Sequence, residues 1–252
     1  MLFNAIVYGP IHSRRLGVSL GMNLMPTHAK LCTFDCVYCE CGWNLPVSHP
    51  QLPTRDEVRE ALHQQLSTLD TPLDVITFSG NGEPTLHPEF LGIIQDTCML
   101  RDQYCPTAKI SVLSNSTQLG RPDVVEALRL CDNRILKLDS AIDATMHLID
   151  KPVNHALTVE QLVQWLSMFE GDFTLQTCFL RGEENGQIID NTTSDELSAW
   201  YRVVDRLHPK QVMIYVIDRA TPLQTLSKVP AHEMHAIAAP LREKGIDVIV
   251  SA

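Results

Sequence analysis

The chain has no apolar run approaching the roughly 20 residues that span a bilayer, which argues against a transmembrane helix. Its opening, M-L-F-N-A-I-V-Y-G-P, lacks the basic region and small-residue cleavage site of a secretory signal. Positive charge is scarce: 20 Lys and Arg stand against 30 Asp and Glu, for a net charge of −10. With a pI near 5.4, bulk attraction to nucleic acid or an anionic membrane is absent, although a local basic patch remains open. No internal repeat, low-complexity tract or linker divides the 252 residues, so one domain spanning 1–252 is expected. The ten histidines show no paired spacing that argues for a metal. Outside one loop no second C-x2-C pair exists, which argues against a closed zinc site built from two pairs.

What is present centres on Leu31 to Trp43, L-C-T-F-D-C-V-Y-C-E-C-G-W. Cys32, Cys36 and Cys39 stand at C-x3-C-x2-C spacing within eight residues. Thiolates this close can share one soft metal centre, and cysteine is the usual ligand of iron–sulfur clusters. Three ligands on a four-iron cube leave one iron open to a small molecule. Cys41 has poor spacing from Cys39 for a fourth ligand. Zinc, a disulfide or chance spacing are the alternatives at this point. Eight cysteines in all, three of them clustered, suit a reducing cytoplasm rather than a disulfide framework.

The spacing, with Tyr38 just before the last cysteine, resembles the cluster loop of the radical S-adenosylmethionine (SAM) enzymes. The opening Y-G-P-I-H-S-R-R-L-G is similar to that of a bacterial and archaeal iron–sulfur oxidoreductase subgroup related to the wybutosine-type tRNA synthases. The resemblance implies a [4Fe–4S] cluster whose open iron chelates SAM. An electron then cleaves the sulfonium to methionine and a 5′-deoxyadenosyl radical, which abstracts hydrogen from a substrate. It also implies a flavodoxin- or ferredoxin-type electron donor, and an open, partial (β/α)6 barrel as the fold.

The rest of the chain reads as alternating strands and helices. Gly17–Leu24 is a first strand, preceded by an extension over 1–17. Thr54-Arg55-Asp56-Glu57 is a capping box opening a helix to about Leu69. Strands are expected at Asp74–Phe78, Lys109–Leu113, Arg134–Leu138, Phe173–Phe179, Val212–Ile217 and Ile246–Val250. Between them lie helices at Pro88–Leu100, Arg121–Leu130, Asp143–Ile149, Thr158–Phe169, Ser194–Leu207 and Ala231–Lys244, the last with Pro240 as a kink point. Six or seven βα units, short of the eight of a closed barrel, imply an α/β fold with parallel strands, and the C-terminal helix and strand of 220–252 pack on the barrel.

Ligands of such folds collect at the carboxyl ends of strands. Ser79-Gly80-Asn81-Gly82-Glu83-Pro84 follows a strand, and its glycines would let backbone groups approach a ligand. It resembles the family's glycine–glycine–glutamate motif with one extra residue, which implies that Gly80, Asn81, Gly82 and Glu83 hold the amino group of SAM's methionine portion. Ser114 and Asn115 fit contacts to methionine and ribose, Asp139 a ribose hydroxyl, and Lys137, on the same strand face, the SAM carboxylate. The bland readings are a turn residue for Asp139 and a surface lysine at a strand edge for Lys137. Substrate candidates are Arg14 and Arg15 as an anion site, Gln176, Arg181 in an exposed polar loop read as a lid, and Asp218.

Nothing in the chain names the substrate; a small metabolite or a protein side chain is favoured by the acidic balance. A tRNA-modifying enzyme and a glycyl-radical-enzyme activase are alternatives within the family. A non-catalytic iron–sulfur or zinc redox sensor is the alternative outside it, and would leave the glycine-rich turn unexplained. Cys98, Cys105, Cys131 and Cys178 read as small buried hydrophobes without a second cluster motif.

Overall fold

Apolar side chains at alternate strand positions and helix-length amphipathic segments between them build an α/β fold with parallel strands. A computed structural model describes residues 2–13, 16–46 and 50–252. The chain divides into two compact units, one of Met1–Cys32 with Asn44–Ile135, the other of Thr33–Trp43 with Leu136–Ala252.

In the first unit, β1 (Val7–Ser13) and β2 (Gly17–Asn23) form an antiparallel pair whose register shifts between Tyr8 and Ile11. Helix α1 (Arg55–Ser67) leads to β3 (Val75–Ser79), α2 (Phe90–Tyr104) to β4 (Lys109–Ser114), and α3 (Pro122–Leu130) follows. The strand order is β1-β2-β3-β4, parallel from β2 onward. Leu20, Met22, Ile76, Phe78, Ile110 and Val112 occupy alternate positions on these three strands and are fully buried. The expected capping box is made: Thr54 Oγ1 accepts from Glu57 N and Thr54 N donates to Glu57 Oε2 at 2.7 Å. Arg55 forks onto Asp96 through two 2.7 Å bonds and so ties α1 to α2. The expectation of a first strand at Gly17 missed β1, which lies inside the N-terminal extension.

Strand β5 (Asn133–Lys137) straddles the division. The second unit continues with α4 (Asp143–Asp150), α5 (Val159–Ser167), β6 (Thr174–Cys178), β7 (Leu180–Glu184), β8 (Gln187–Asp190) and α6 (Ser194–Leu207). It ends with β9 (Gln211–Tyr215), β10 (Ser227–Lys228), α7 (Ala231–Glu243) and β11 (Asp247–Ser251). Strands β6, β9 and β11 lie side by side and parallel, and β10-β7-β8 form a small antiparallel sheet. One expectation changes here. Arg181–Asn185 is not an open polar loop but the outgoing strand and turn of a hairpin. Helix α7 spans Pro240 as expected. The loop Thr33–Trp43 has no regular structure of its own and is held by backbone bonds to the end of α4. Asp35 N donates to the Asp150 carbonyl, Val37 N to Ile149 O and Val153 N to Thr33 O, each at 2.9 Å. Among the described residues no helix is long and apolar enough to cross a membrane.

Candidate functional site

In the first unit the glycine-rich turn grips the residue that precedes the first cysteine. Leu31 pairs with Gly82 in a parallel bridge. Leu31 N donates to Asn81 O at 2.9 Å and Glu83 N donates to Leu31 O at 3.1 Å. Gly82 has φ +149°, and a Cβ there would lie 1.8 Å from the Leu31 carbonyl oxygen. A Cβ on Gly80, φ +122°, would lie 2.6 Å from Asn23 Oδ1. The side of each glycine where a Cβ would stand is therefore occupied by neighbouring protein, which is why glycine is required at both positions. The Asn81 side chain is held by its neighbours. Its fully buried side chain donates to Phe3 O at 2.7 Å and Pro26 O at 2.8 Å, and accepts from Phe3 N at 2.7 Å. It is an internal tie.

Glu83 stands at the end of this turn, 2% exposed. It caps the short turn Pro84–Leu86, with Oε1 accepting from Thr85 N at 3.1 Å and from the Thr85 hydroxyl at 2.5 Å. Its Oε2 accepts from Asn115 N at 2.6 Å. Burial pushes the carboxyl above its ordinary value, and the bonds from Asn115, Thr85 and Ser114 oppose that shift. Asn115 in turn points Nδ2 at Cys32 Sγ, 3.5 Å away, while its Oδ1 accepts from Thr117 N and Oγ1. Ser114 Oγ accepts from Ser116 N at 3.1 Å. Glu83, Asn115 and Cys32 thus form one chain of contacts. The sequence reading missed Thr85, although Glu-Pro-Thr is legible as a capped turn.

In the second unit the cysteine loop advances by turns, Cys39 N donating to Cys36 O at 3.1 Å and Gly42 N to Cys39 O at 2.9 Å. Cys36 is buried; Cys39 and Cys41 are half-buried. Lys137, on β5, is buried rather than at a surface edge. Its Nζ lies 2.9 Å from Cys36 Sγ, 2.5 Å from Asp150 Oδ1 and 3.2 Å from Asp139 Oδ2. An ammonium has three N–H donors, and two of them are directed at Cys36 Sγ and Asp150 Oδ1. Burial disfavours its charge, but Asp139 and Asp150 outweigh that and hold the ammonium well above its ordinary value.

Asp139 is equally committed. Its Oδ1 accepts from Cys178 N at 2.8 Å, and its Oδ2 from the Tyr38 hydroxyl and from Lys137. It is 1% exposed. The Tyr215 hydroxyl donates to Tyr38 at 3.4 Å, with the rings edge to face. Burial pushes Tyr38 well above the usual phenol range, and Asp139 adds to it. The Tyr38 hydroxyl therefore joins Asp139 and Tyr215 in one internal network. The network partners Asp150 and Tyr215 carried no local motif.

The substrate candidates are dispersed. Gln176 is buried on β6, with Nε2 3.5 Å from Met213 Sδ and its carbonyl accepting from Leu138 N. Arg181 is no lid: it forks onto Glu233 of α7 at 2.5 and 3.2 Å and reaches Thr192 Oγ1 at 2.9 Å. Asp218 is exposed and paired with Lys228 Nζ at 3.0 Å. Arg14 and Arg15 lie outside the described residues. Among the described residues no three His, Cys, Asp or Glu side chains converge as a preformed metal cage.

Comparison with known proteins supplies the class. The sequence pattern of the Radical SAM superfamily matches residues 27–180, more than half of the chain, and the chain belongs to that superfamily. By family it is a radical SAM enzyme, and the family's cofactors are SAM and an iron–sulfur cluster. The UPF0026 protein of Synechocystis is 33% identical over 227 residues, covering 86% of this chain and 77% of its own length. The UPF0026 protein of Helicobacter pylori is 29% identical over 217 residues, covering 85% and 67% respectively. Among solved structures, Streptococcus suis SuiB bound to S-adenosylmethionine matches with a TM-score of 0.66 at 10% identity, over 92% of this chain and 50% of that one. This chain spans about half of SuiB, and the likeness shows the fold alone, an α/β core of the open partial-barrel class.

Proposed function

We propose that Cys32, Cys36 and Cys39 hold a [4Fe–4S] cluster, and that the chain cleaves SAM reductively to start hydrogen abstraction from a small metabolite or a protein side chain. The observation that carries this reading is the lock between the glycine-rich turn and Leu31, which joins the two family motifs next to Cys32. The donor set fits a thiolate-bound cluster. Asn115 and Lys137 direct N–H groups at the sulfurs of Cys32 and Cys36, and sulfurs bound to iron are anionic acceptors whose hydrogen bonds tune the metal. When bound, the reduced cluster supplies the electron that breaks SAM's sulfonium bond and releases the hydrogen-abstracting radical.

The chain's own residues orient and protect. The bridge at Leu31 fixes the backbone before Cys32, and the bonds from the loop to α4 fix the backbone around Cys36. Cys41, outside the spacing, is not a ligand in this reading. Glu83 presents a buried carboxylate whose bonds to Asn115 and Thr85 set its rotamer, and Ser114 with Asn115 lines the same strand end. A low-potential flavodoxin or ferredoxin supplies electrons. The acidic balance, net charge −10, disfavours a nucleic-acid substrate.

The test is anaerobic cluster reconstitution, then reduction in the presence of SAM, with 5′-deoxyadenosine as readout. Its appearance in the wild type and loss in Cys36→Ala is the expected result. Bound zinc, no nucleoside and no spectral response to SAM would transfer the protein to the sensing or structural class.

A further inference from the structure

Lys137 is a buried charged side chain in direct contact with one of the three clustered cysteines, Cys36, within one unit. Its ammonium lies 2.9 Å from Cys36 Sγ and is braced by Asp150 at 2.5 Å and Asp139 at 3.2 Å. The Tyr38 and Phe34 rings lie beside it, with centroids 4.9 and 5.1 Å from Nζ. Phe34 is 1% exposed and Lys137 is 8% exposed, so water does little to screen the charge. Asp139 is itself fixed by Cys178 N and the Tyr38 hydroxyl. A lysine meant to meet an incoming ligand would not need two buried carboxylates to hold it against a cysteine.

We propose that Lys137 is a positioning residue for the electron-accepting step: a fixed cation and N–H donor on Cys36 Sγ that raises the reduction potential of the cluster. The inference rests on the cluster assignment made above. The reduced cluster carries one more negative charge than the oxidised one, so a cation against a ligand sulfur favours the reduced form. Asp139 and Asp150 act in the opposite sense, and together the three residues place the potential between two extremes.

The experiment is a redox titration of the reconstituted full chain, following the reduced cluster by electron paramagnetic resonance. Lys137→Met is expected to shift the midpoint downward by about 59 mV or more, a tenfold change in the one-electron equilibrium constant. Lys137→Arg, which keeps a cation and donors, is expected to recover much of that shift. Asp150→Asn, which keeps the lysine and removes a negative charge, is expected to move the midpoint upward. If Lys137→Met fails to fold, the Arg and Asn variants still carry the test, because their order relative to the wild type is specified. Midpoints that coincide across the wild type and the variants, with the cluster assembled in each, overturn the inference and leave the functional reading standing. A wild-type chain that assembles no cluster overturns both.

Discussion

Gly82→Ala isolates the contact that holds Leu31, the residue before Cys32. The added Cβ would sit 1.8 Å from the Leu31 carbonyl oxygen, at a φ of +149° that only glycine adopts readily. The clash is with backbone, so no side-chain rotation relieves it, and the segment ending at Leu31 must move by more than an ångström. Movement breaks the bonds from Glu83 N to Leu31 O and from Leu31 N to Asn81 O, each worth about 1 kcal/mol. Holding alanine at this φ adds about 1–3 kcal/mol. The sum, about 3–5 kcal/mol, is a large part of an ordinary domain's stability of roughly 5–15 kcal/mol. At roughly 2–4 °C per kcal/mol for a chain of this size, the melting temperature should fall by at least about 6 °C. Gly186→Ala is the matched control: φ is +80°, but a Cβ there meets nothing within 4 Å. It keeps the conformational cost, about 1–2 kcal/mol, without the collision. Thermal melts of both variants, with iron content after reconstitution as a second readout, decide the matter. Equal melting temperatures for the two would refute the claim that the turn is glycine-rich to admit Leu31.

Three further outcomes are expected. Cys36→Ala should reconstitute with little iron while Cys41→Ala keeps the wild-type iron content; iron lost equally from both would move the ligand assignment. Burial raises the Glu83 carboxyl in the folded state, so its contribution to stability is greatest below the unfolded value of 4.5 and is lost as pH rises through the folded value. Glu83→Gln, which cannot ionise, should accordingly gain in melting temperature relative to wild type as pH is raised from acid to neutral, and a variant that loses ground instead would show that the hydrogen bonds outweigh burial. Arg181→Met should lower stability by about 1 kcal/mol, the order of a half-exposed bidentate ion pair with Glu233, read as a midpoint shift in urea; a variant as stable as the wild type would leave the hairpin without its clamp to α7.

The helices and central strands were legible because their signals are local. Thr54 to Glu57 announces α1 in four residues, and the apolar runs of β3, β4 and β9 identify strands buried on both faces. What was not legible depends on residues far apart. Arg181, Gly182, Glu183 and Glu184 look like a loop until Gln187–Asp190 pairs with them as β8. Nothing local to Gly80 and Gly82 announces that Asn23 and Leu31, roughly fifty residues earlier, stand against them. Lys137 and Asp139 share a strand face as expected, yet Cys36, Asp150, Tyr38 and Cys178 claim their polar atoms first. A one-dimensional reading identifies chemistry-bearing residue types well and their partners poorly, since partnership is decided by folding.

The tie made by Asn81 has a practical side. Its amide closes a two-way bond with the backbone of Phe3 and also holds Pro26, so the leading segment is stitched to the turn that precedes Glu83. Trimming the first few residues to tidy an expression product would leave a fully buried carboxamide without two of its three partners, directly beside Glu83. For anyone engineering this chain, the front end belongs to the support of the glycine-rich turn and is a poor place to cut.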